Sequence, residues 1–461
     1  MKLLTKSNDP NAPLGVVERT AYMSGNIGIA LLNTIISSFV MFYYTDVMML
    51  DFGIVSTLLL VSRIFDGVTD LIMGTIVDRT HSKYGKSRAW ILRICIPYAI
   101  SGVLMCSVPG GATEMIQYIY LFITYNLCNA ICLTAIYVPY NAMTCNITAN
   151  QYERGLLGVF VMFGATLGTM IVQSTVIKAT NALGGGPRAW QIVVGIYAVC
   201  GVILHLFCFF CTKERCGGVA VEGEKKEHLP LKLELKALFT NQYWLLAVGS
   251  IFLVMFFTYF TGSAGVYYAK GVLGDEGLYS QYANCMSLAQ MATLFLAFIP
   301  MKKLGKRKTM LIGLFLITVA CLIQGLVGNS LMVINVCSVA KGIGGGLAGG
   351  AMYGLIADTI DYGEWKAGVK TDGIGMAAVT FVTKIAGGFT GVIIARILDA
   401  GGYDAAAAVQ TAGAVSALKL LFSWLPCIFC AIGALLLIFY KLDNIYPQIQ
   451  EELAERRQKQ Q

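Results

Sequence analysis

Charge is what this sequence has least of. Asp, Glu, Lys and Arg make up 13% of its 461 residues, against 56% apolar types, where a soluble domain carries about a quarter charged. That scarcity argues against an ordinary water-soluble fold. A GxxxxGK[ST] loop, which cradles nucleotide phosphates, is also missing, so ATP-driven work is not expected. Cys208/Cys211 and Cys427/Cys430 have CxxC spacing, but no second pair follows nearby and both lie in apolar runs. They read as packing residues, and neither a disulfide frame nor a metal site is expected. Residues 1–19 are polar and the first apolar run is too long for a cleaved signal; a retained first helix is the expectation.

The net charge of +8 would suggest nucleic acid in a soluble chain. Here the basic residues fall in short gaps between apolar runs, the positive-inside pattern, so no nucleic-acid partner is expected. The partners expected are a bilayer and a small solute, with the chain a monomer. Fifty glycines fit close helix approach in lipid.

Long apolar runs are what the sequence does have. A spanning helix needs about 20 apolar residues. Such runs cover 20–46, 53–78, 90–109, 115–144, 155–180 and 189–212, then 243–269, 279–301, 309–327, 331–357, 372–398 and 412–440. The pattern predicts an all-α membrane protein of twelve helices in two six-helix halves. The halves are 1–212 and 243–461, the second ending in a short tail. The polar stretch 213–242, with Lys213, Arg215, Lys225, Lys226, Lys232 and Lys236, reads as a central cytoplasmic loop.

Arg79, Lys83, Lys86 and Arg88 lie between helices two and three, and Lys302, Lys303, Lys306, Arg307 and Lys308 between eight and nine. The loops at 47–52, 110–114, 328–330 and 399–411 have no Lys or Arg. Both termini are therefore expected to be cytoplasmic. Lys83-Tyr84-Gly85-Lys86 matches Lys303-Leu304-Gly305-Lys306 at a separation of 220 residues. Two parallel six-helix repeats with a midplane substrate site are the layout of major facilitator transporters.

Helix two carries Arg63, Asp66, Thr69 and Asp70. The i, i+3, i+7 spacing of Arg63, Asp66 and Asp70 puts them on one face. Each acid in a membrane costs about 2.5–3.5 kcal/mol. Two adjacent carboxylates repel by roughly 3 kcal/mol at an effective dielectric near 20. Protonation or a bound cation must offset that. Arg63 can neutralise one charge, leaving one for an exchangeable ion. Thr69 and Thr134 add hydroxyl oxygens, which suit a hard cation. The repeat supplies a control, because Met286 and Gln290 stand opposite Asp66 and Asp70 in the second half. The architecture does not demand the acids. The bland alternative is an acid–arginine clamp holding helices together.

Other polar positions recur at helical spacing: Asn26, Asn33 and Ser37 on helix one, Thr134, Tyr137 and Asn141 on helix four, Thr380 and Lys384 on helix eleven. A mid-membrane lysine is a functional candidate by default; the Asn and Thr positions serve interhelical hydrogen bonding equally well. Tyr267 and Tyr268 read as belt anchors or an outer gate, and His205 as packing. Asn146-Ile-Thr148 is a sequon on the expected cytoplasmic side and is discounted.

Met41-Phe-Tyr-Tyr-Thr-Asp46, Arg63-Ile-Phe-Asp66-Gly-Val-Thr-Asp70, Met73-Gly-Thr-Ile-Val-Asp78-Arg79, Val138-Pro139-Tyr140, Glu153-Arg154, Asp358-Thr-Ile-Asp361-Tyr-Gly-Glu364-Trp365-Lys366 and Lys384-Ile-Ala-Gly-Gly388 together resemble the glycoside–pentoside–hexuronide:cation symporters. The resemblance implies symport of a sugar-like solute with Na⁺, Li⁺ or H⁺ and no other cofactor. It maps the cation site onto Asp66, Thr69, Asp70 and Thr134, and a helix-eleven lysine onto Lys384. It assigns Arg154, Asp358 and Asp361, with Arg63, to gating charges. Where the melibiose carriers of that family hold sugar with acids and an arginine, this sequence has Ala30, Tyr137 and Met162, and Asn141 replaces a tryptophan. A galactoside is therefore a poor guess, and an anionic or less hydroxylated solute a better one. The competing reading is an uncoupled facilitator or exporter on the same fold.

Overall fold

The computed structural model describes residues 9, 11–78, 80, 82–216, 236–327, 330–367, 372–407 and 409–460. Arg79, Gly328, Asn329 and 217–235 of the expected central loop, with Lys225, Lys226 and Lys232, lie outside them. Among the described residues there is no strand. Eleven of their helices are long and apolar enough to cross a membrane, and a bent pair makes a twelfth span.

One compact unit holds α1 (Val16–Val47), α2 (Phe52–Asp78), α3 (Arg88–Met105), α4 (Glu114–Asn126, Leu127–Leu133 and Thr134–Ile147), α5 (Gln151–Ala182) and α6 (Pro187–Cys211). The other holds α7 (Gln242–Leu273), α8 (Leu278–Leu296 with Phe298–Leu304), α9 (Lys306–Val327), α10 (Leu331–Ala367), most of α11 (Asp372–Ala400), α12 (Ala412–Phe439) and a tail helix, α13 (Tyr446–Gln460).

Two spans depart from the sequence reading. The run 279–301 reads as one spanning helix, and α8 turns by 53° where its second segment, Phe298–Leu304, begins. Helix α10 continues ten residues beyond its apolar run, to Ala367. Apolarity stops at Asp358, but the helix does not, because the acids beyond that point find partners.

In the first unit α1 is the central element: 89% of its most apolar stretch is buried, against 22% for α5. It packs on α5 and α6 through small residues. A Cβ at Gly28 would meet the His205 ring at 2.9 Å and the Gly201 carbonyl at 3.1 Å. His205 is buried as a packing residue in that seam.

The second unit has a close glycine seam between α9 and α10. A Cβ at Gly344 would stand 2.5 Å from the Gly313 carbonyl, and one at Gly313 2.6 Å from the Gly344 carbonyl. Lipid gives helices no hydrophobic drive to associate, so van der Waals packing at such seams carries the stability. Gly344→Ala is expected to cost about 1–3 kcal/mol by overpacking. Gly349→Ala, where nothing lies within 4 Å, should be neutral or stabilising because alanine favours helix. Thermal unfolding of the two variants in detergent checks this.

Candidate cation and solute site

The acid pair sits in the middle of α2, and α4 lies alongside it. The Thr134 hydroxyl on α4 is 3.2 Å from Asp66 Oδ1 and 3.0 Å from Asp70 Oδ1. A threonine hydroxyl has one hydrogen and two lone pairs, so one proton serves two carboxylates. The Oδ1 atoms are therefore no more than about 6 Å apart, the range at which two such charges repel by roughly 3 kcal/mol. Asp66 is 4% exposed and Asp70 half-buried. Arg63 approaches Asp66 Oδ2 at 3.9 Å, one positive charge beside two negative ones. Oxygens of both acids and of Thr134 are hard donors that could hold a monovalent cation. Thr134 could then turn its hydrogen to one carboxylate and a lone pair to the ion.

Local structure holds α4 in this position. Asn126 donates to Ser62 Oγ of α2 at 2.8 Å and to the Phe122 carbonyl at 2.7 Å. Ser62, Asp66 and Asp70 lie four residues apart along α2, so hydrogen bonds from α4 meet the same face of α2 repeatedly. Between Asn126 and Thr134 the helix loosens into a π stretch, Leu127–Leu133, a feature that often accompanies functional sites. One and two turns beyond the acids, Met73 and Val77 pack with Ala135 against Trp90, Ile94 and Val138. That apolar floor shuts one end of the polar cluster.

Of the expected cation ligands, the structure brings Asp66, Asp70 and Thr134 together. Thr69 is half-buried and its hydroxyl donates to the Asp66 backbone carbonyl at 3.0 Å, so its hydrogen is spent on its own helix. The solute candidates divide. Asn26 is buried and donates to the Val161 carbonyl at 2.7 Å, tying α1 to α5. Ala30 is buried against Gly168 of α5. Asn33, Tyr137, Asn141 and Met162 are exposed on the first unit. Tyr137 and Asn141 follow Thr134 at i+3 and i+7 on α4, so both sets of candidates share a helix. On α11, Thr380 is exposed and Lys384 half-buried. Tyr267 and Tyr268 are both buried, Tyr267 edge-on to Tyr403 and Tyr268 stacked on Phe422.

The expected gating residues have partners within their own units. Asp358 takes Lys306 at 2.6 Å, and Asp361 accepts from the Tyr446 hydroxyl at 2.7 Å. Burial first, then the Asp361 and Asp358 carboxylates, hold the Tyr446 phenol well above its ordinary range, which keeps it a donor. Arg154 donates to the Thr148 carbonyl at 2.7 Å. Sequence reasoning missed the ion pairs beside it. Arg19 grips Glu153 at 2.7 Å, and Arg215 grips Glu18 at 2.8 Å. Glu214 accepts from the backbone N–H groups of Lys86, Ser87 and Arg88 and so caps α3. Only the charges themselves, at the polar edges of apolar runs, signalled these contacts.

The family described as MFS/sugar transport protein matches residues 21–444 of this chain. The chain belongs to that family. It is a multi-pass membrane transporter and not an enzyme. The isoprimeverose transporter of Lactiplantibacillus pentosus is 32% identical over 445 residues, 95% of this chain and 91% of that one. The putative glycoside/cation symporter YagG of Escherichia coli (strain K12) is 28% identical over 409 residues, 87% of each. Among solved structures, a bacterial homolog of the human lysosomal transporter Spinster superposes with a TM-score of 0.66 at 14% identity, over 94% of this chain and 97% of that one. At that identity the likeness speaks for the all-α major facilitator fold alone.

The division among the solute candidates is testable. Asn26→Ala should lower thermal stability by about 1 kcal/mol through its lost hydrogen bond and leave uptake KM unchanged. Tyr137→Ala and Asn141→Ala should move KM and leave the unfolding temperature nearly fixed.

Proposed function

We propose that this transporter is a secondary active symporter coupling Na⁺ or H⁺ entry to uptake of a sugar-like solute by alternating access. The observation that carries the reading is the pair of membrane-embedded carboxylates, Asp66 and Asp70, brought together on the Thr134 hydroxyl with Arg63 beside Asp66. The names of the relatives, one an isoprimeverose transporter and one a putative glycoside/cation symporter, support the solute class and the coupling. The basic gaps at 83–88 and 302–308 support cytoplasmic termini.

In this cycle the cation neutralises the acid pair first. That fixes α2 against α4, and α4 carries Tyr137 and Asn141 toward the solute. The loaded and the empty carrier reorient, and the carrier holding cation alone does not. Coupling is reciprocal, so solute must tighten cation binding by the factor by which cation tightens solute binding.

Asp66→Asn is expected to abolish Na⁺-dependent stabilisation. Thr134→Val should weaken Na⁺ about tenfold or more, the worth of a hydrogen bond to a charged group. Titrating Na⁺ while following thermal unfolding at fixed pH measures both. Uptake indifferent to Na⁺ and to pH would instead establish an uncoupled facilitator.

The resemblance maps a helix-eleven lysine onto Lys384, and this chain has Ala30 and Tyr137 where melibiose carriers have acids, which favours an anionic solute such as a uronide. Lys384→Ala should therefore lose preference for acidic over neutral glycosides in competition uptake. An unchanged preference would leave a glycoside with an apolar aglycone as the better candidate.

A further inference from the structure

A second intramembrane lysine, unremarked among the apolar residues of α10, is buried more deeply than Lys384. Lys341 is 0% exposed, at the seam of α9, α10 and α12. Its ammonium donates to Gln324 Oε1 on α9 at 2.5 Å and lies 4.8 Å from the centre of the Phe422 ring on α12. Among the described residues no carboxylate is within ion-pair reach of it. The titratable groups around it are the thiols of Cys321, Cys337, Cys427 and Cys430, with Cys321 within hydrogen-bond reach; a thiol carries no compensating charge. Gln324 is itself 1% exposed, and its Nε2 is buried without a partner among the described residues.

The cluster therefore holds surplus donors. A lysine ammonium has three N–H groups and a glutamine amide two. Of these five, one is spent on the amide oxygen and one is directed at the Cys321 sulfur, which leaves three. The amide nitrogen is bonded to the carbon that carries Oε1, so it lies within about 5 Å of the lysine nitrogen. One small anion can touch both atoms across that distance. A buried ammonium without a counter-charge costs several kcal/mol. An amide oxygen and a ring face reduce that cost but do not cancel the charge, and a water molecule would add no negative charge either.

We propose that Lys341 and Gln324 form an internal site for a small monovalent anion of the halide class, held inside the second unit by the ammonium and the amide N–H groups. The site shares no residue with the cation cluster on α2 or with the solute candidates on α4 and α11. Its occupant is a fixed counter-ion that stabilises the packing of α9, α10 and α12.

The test uses the full-length protein in detergent at constant Na⁺ and ionic strength, with sodium gluconate exchanged for sodium chloride or bromide. The wild-type unfolding temperature should rise saturably with either halide. Gln324→Leu should weaken the halide midpoint about tenfold. Lys341→Met, which keeps the stem and removes the charge, should lose the halide response. In gluconate it should unfold no lower than wild type, because removing an uncompensated buried charge is not destabilising. Bromide-soaked crystals should show anomalous density touching Lys341 Nζ and Gln324 Nε2. The proposal is overturned if wild type does not respond to halide, or if Lys341→Met responds as wild type does. It is equally overturned if Lys341→Met is less stable than wild type in gluconate with no halide effect in either protein, since Lys341 would then be only a clamp to Gln324. Should Lys341→Met fail to accumulate, the Gln324→Leu midpoint and the bromide density decide.

Discussion

Lipid offers no hydrogen bonds, so every polar group inside a spanning helix must find its partner within the protein. Much of this structure follows from that constraint. Tyr22 and Tyr140 stack at 4.6 Å and each donates to the other's backbone carbonyl, which joins α1 to α4. Asn26 joins α1 to α5, and Asn126 joins α4 to α2. The polar group and its partner sit on different helices, so satisfying the group and fixing the packing are one event. Glycine seams such as Gly313 with Gly344 supply the other adhesive, backbone against backbone.

The acid pair is where the constraint gathers charge on one face of α2. There Arg63 stands beside Asp66, and the Thr134 hydroxyl donates to Asp66 and Asp70. Elsewhere a carboxylate meets the backbone: Glu214 accepts from three backbone N–H groups. The contrast separates an acid that caps a helix from two acids drawn to one hydroxyl within a span. Helix α4 joins this pair to the exposed Tyr137 and Asn141 within two turns, through a rigid connection that needs no long-range pathway.

The spans were legible in the sequence because apolar length is set by bilayer thickness, and α2 shows this most clearly. Asp66 and Asp70 were legible because charge is expensive where they stand and the repeat lacks it; Thr134 joined them through its hydroxyl and the family resemblance. What remained hidden depended on geometry between distant segments. Asn26 and Asn33 look alike as isolated asparagines on α1, yet one is buried against Val161 and the other is exposed. Apolarity alone could not place the bend in α8, since Leu296 and Phe298 are both apolar. Thr69 could not be seen to spend its hydrogen on its own helix. Lys341 was as visible in the sequence as Lys384, but nothing local announced that α9 would bring Gln324 to it.

Glu214 and Arg215 lie past the end of α6, yet they fasten α3 and α1. The first six helices therefore do not end, as a folding module, at the last apolar residue. A gene split after Cys216 would leave that half with its own cap and clamp. A split before Lys213 would strip three backbone N–H groups of their acceptor and leave Glu18 without its cation. Where a two-fragment carrier can be cut and still reassemble is thus decided by two charged residues in a stretch that reads as linker.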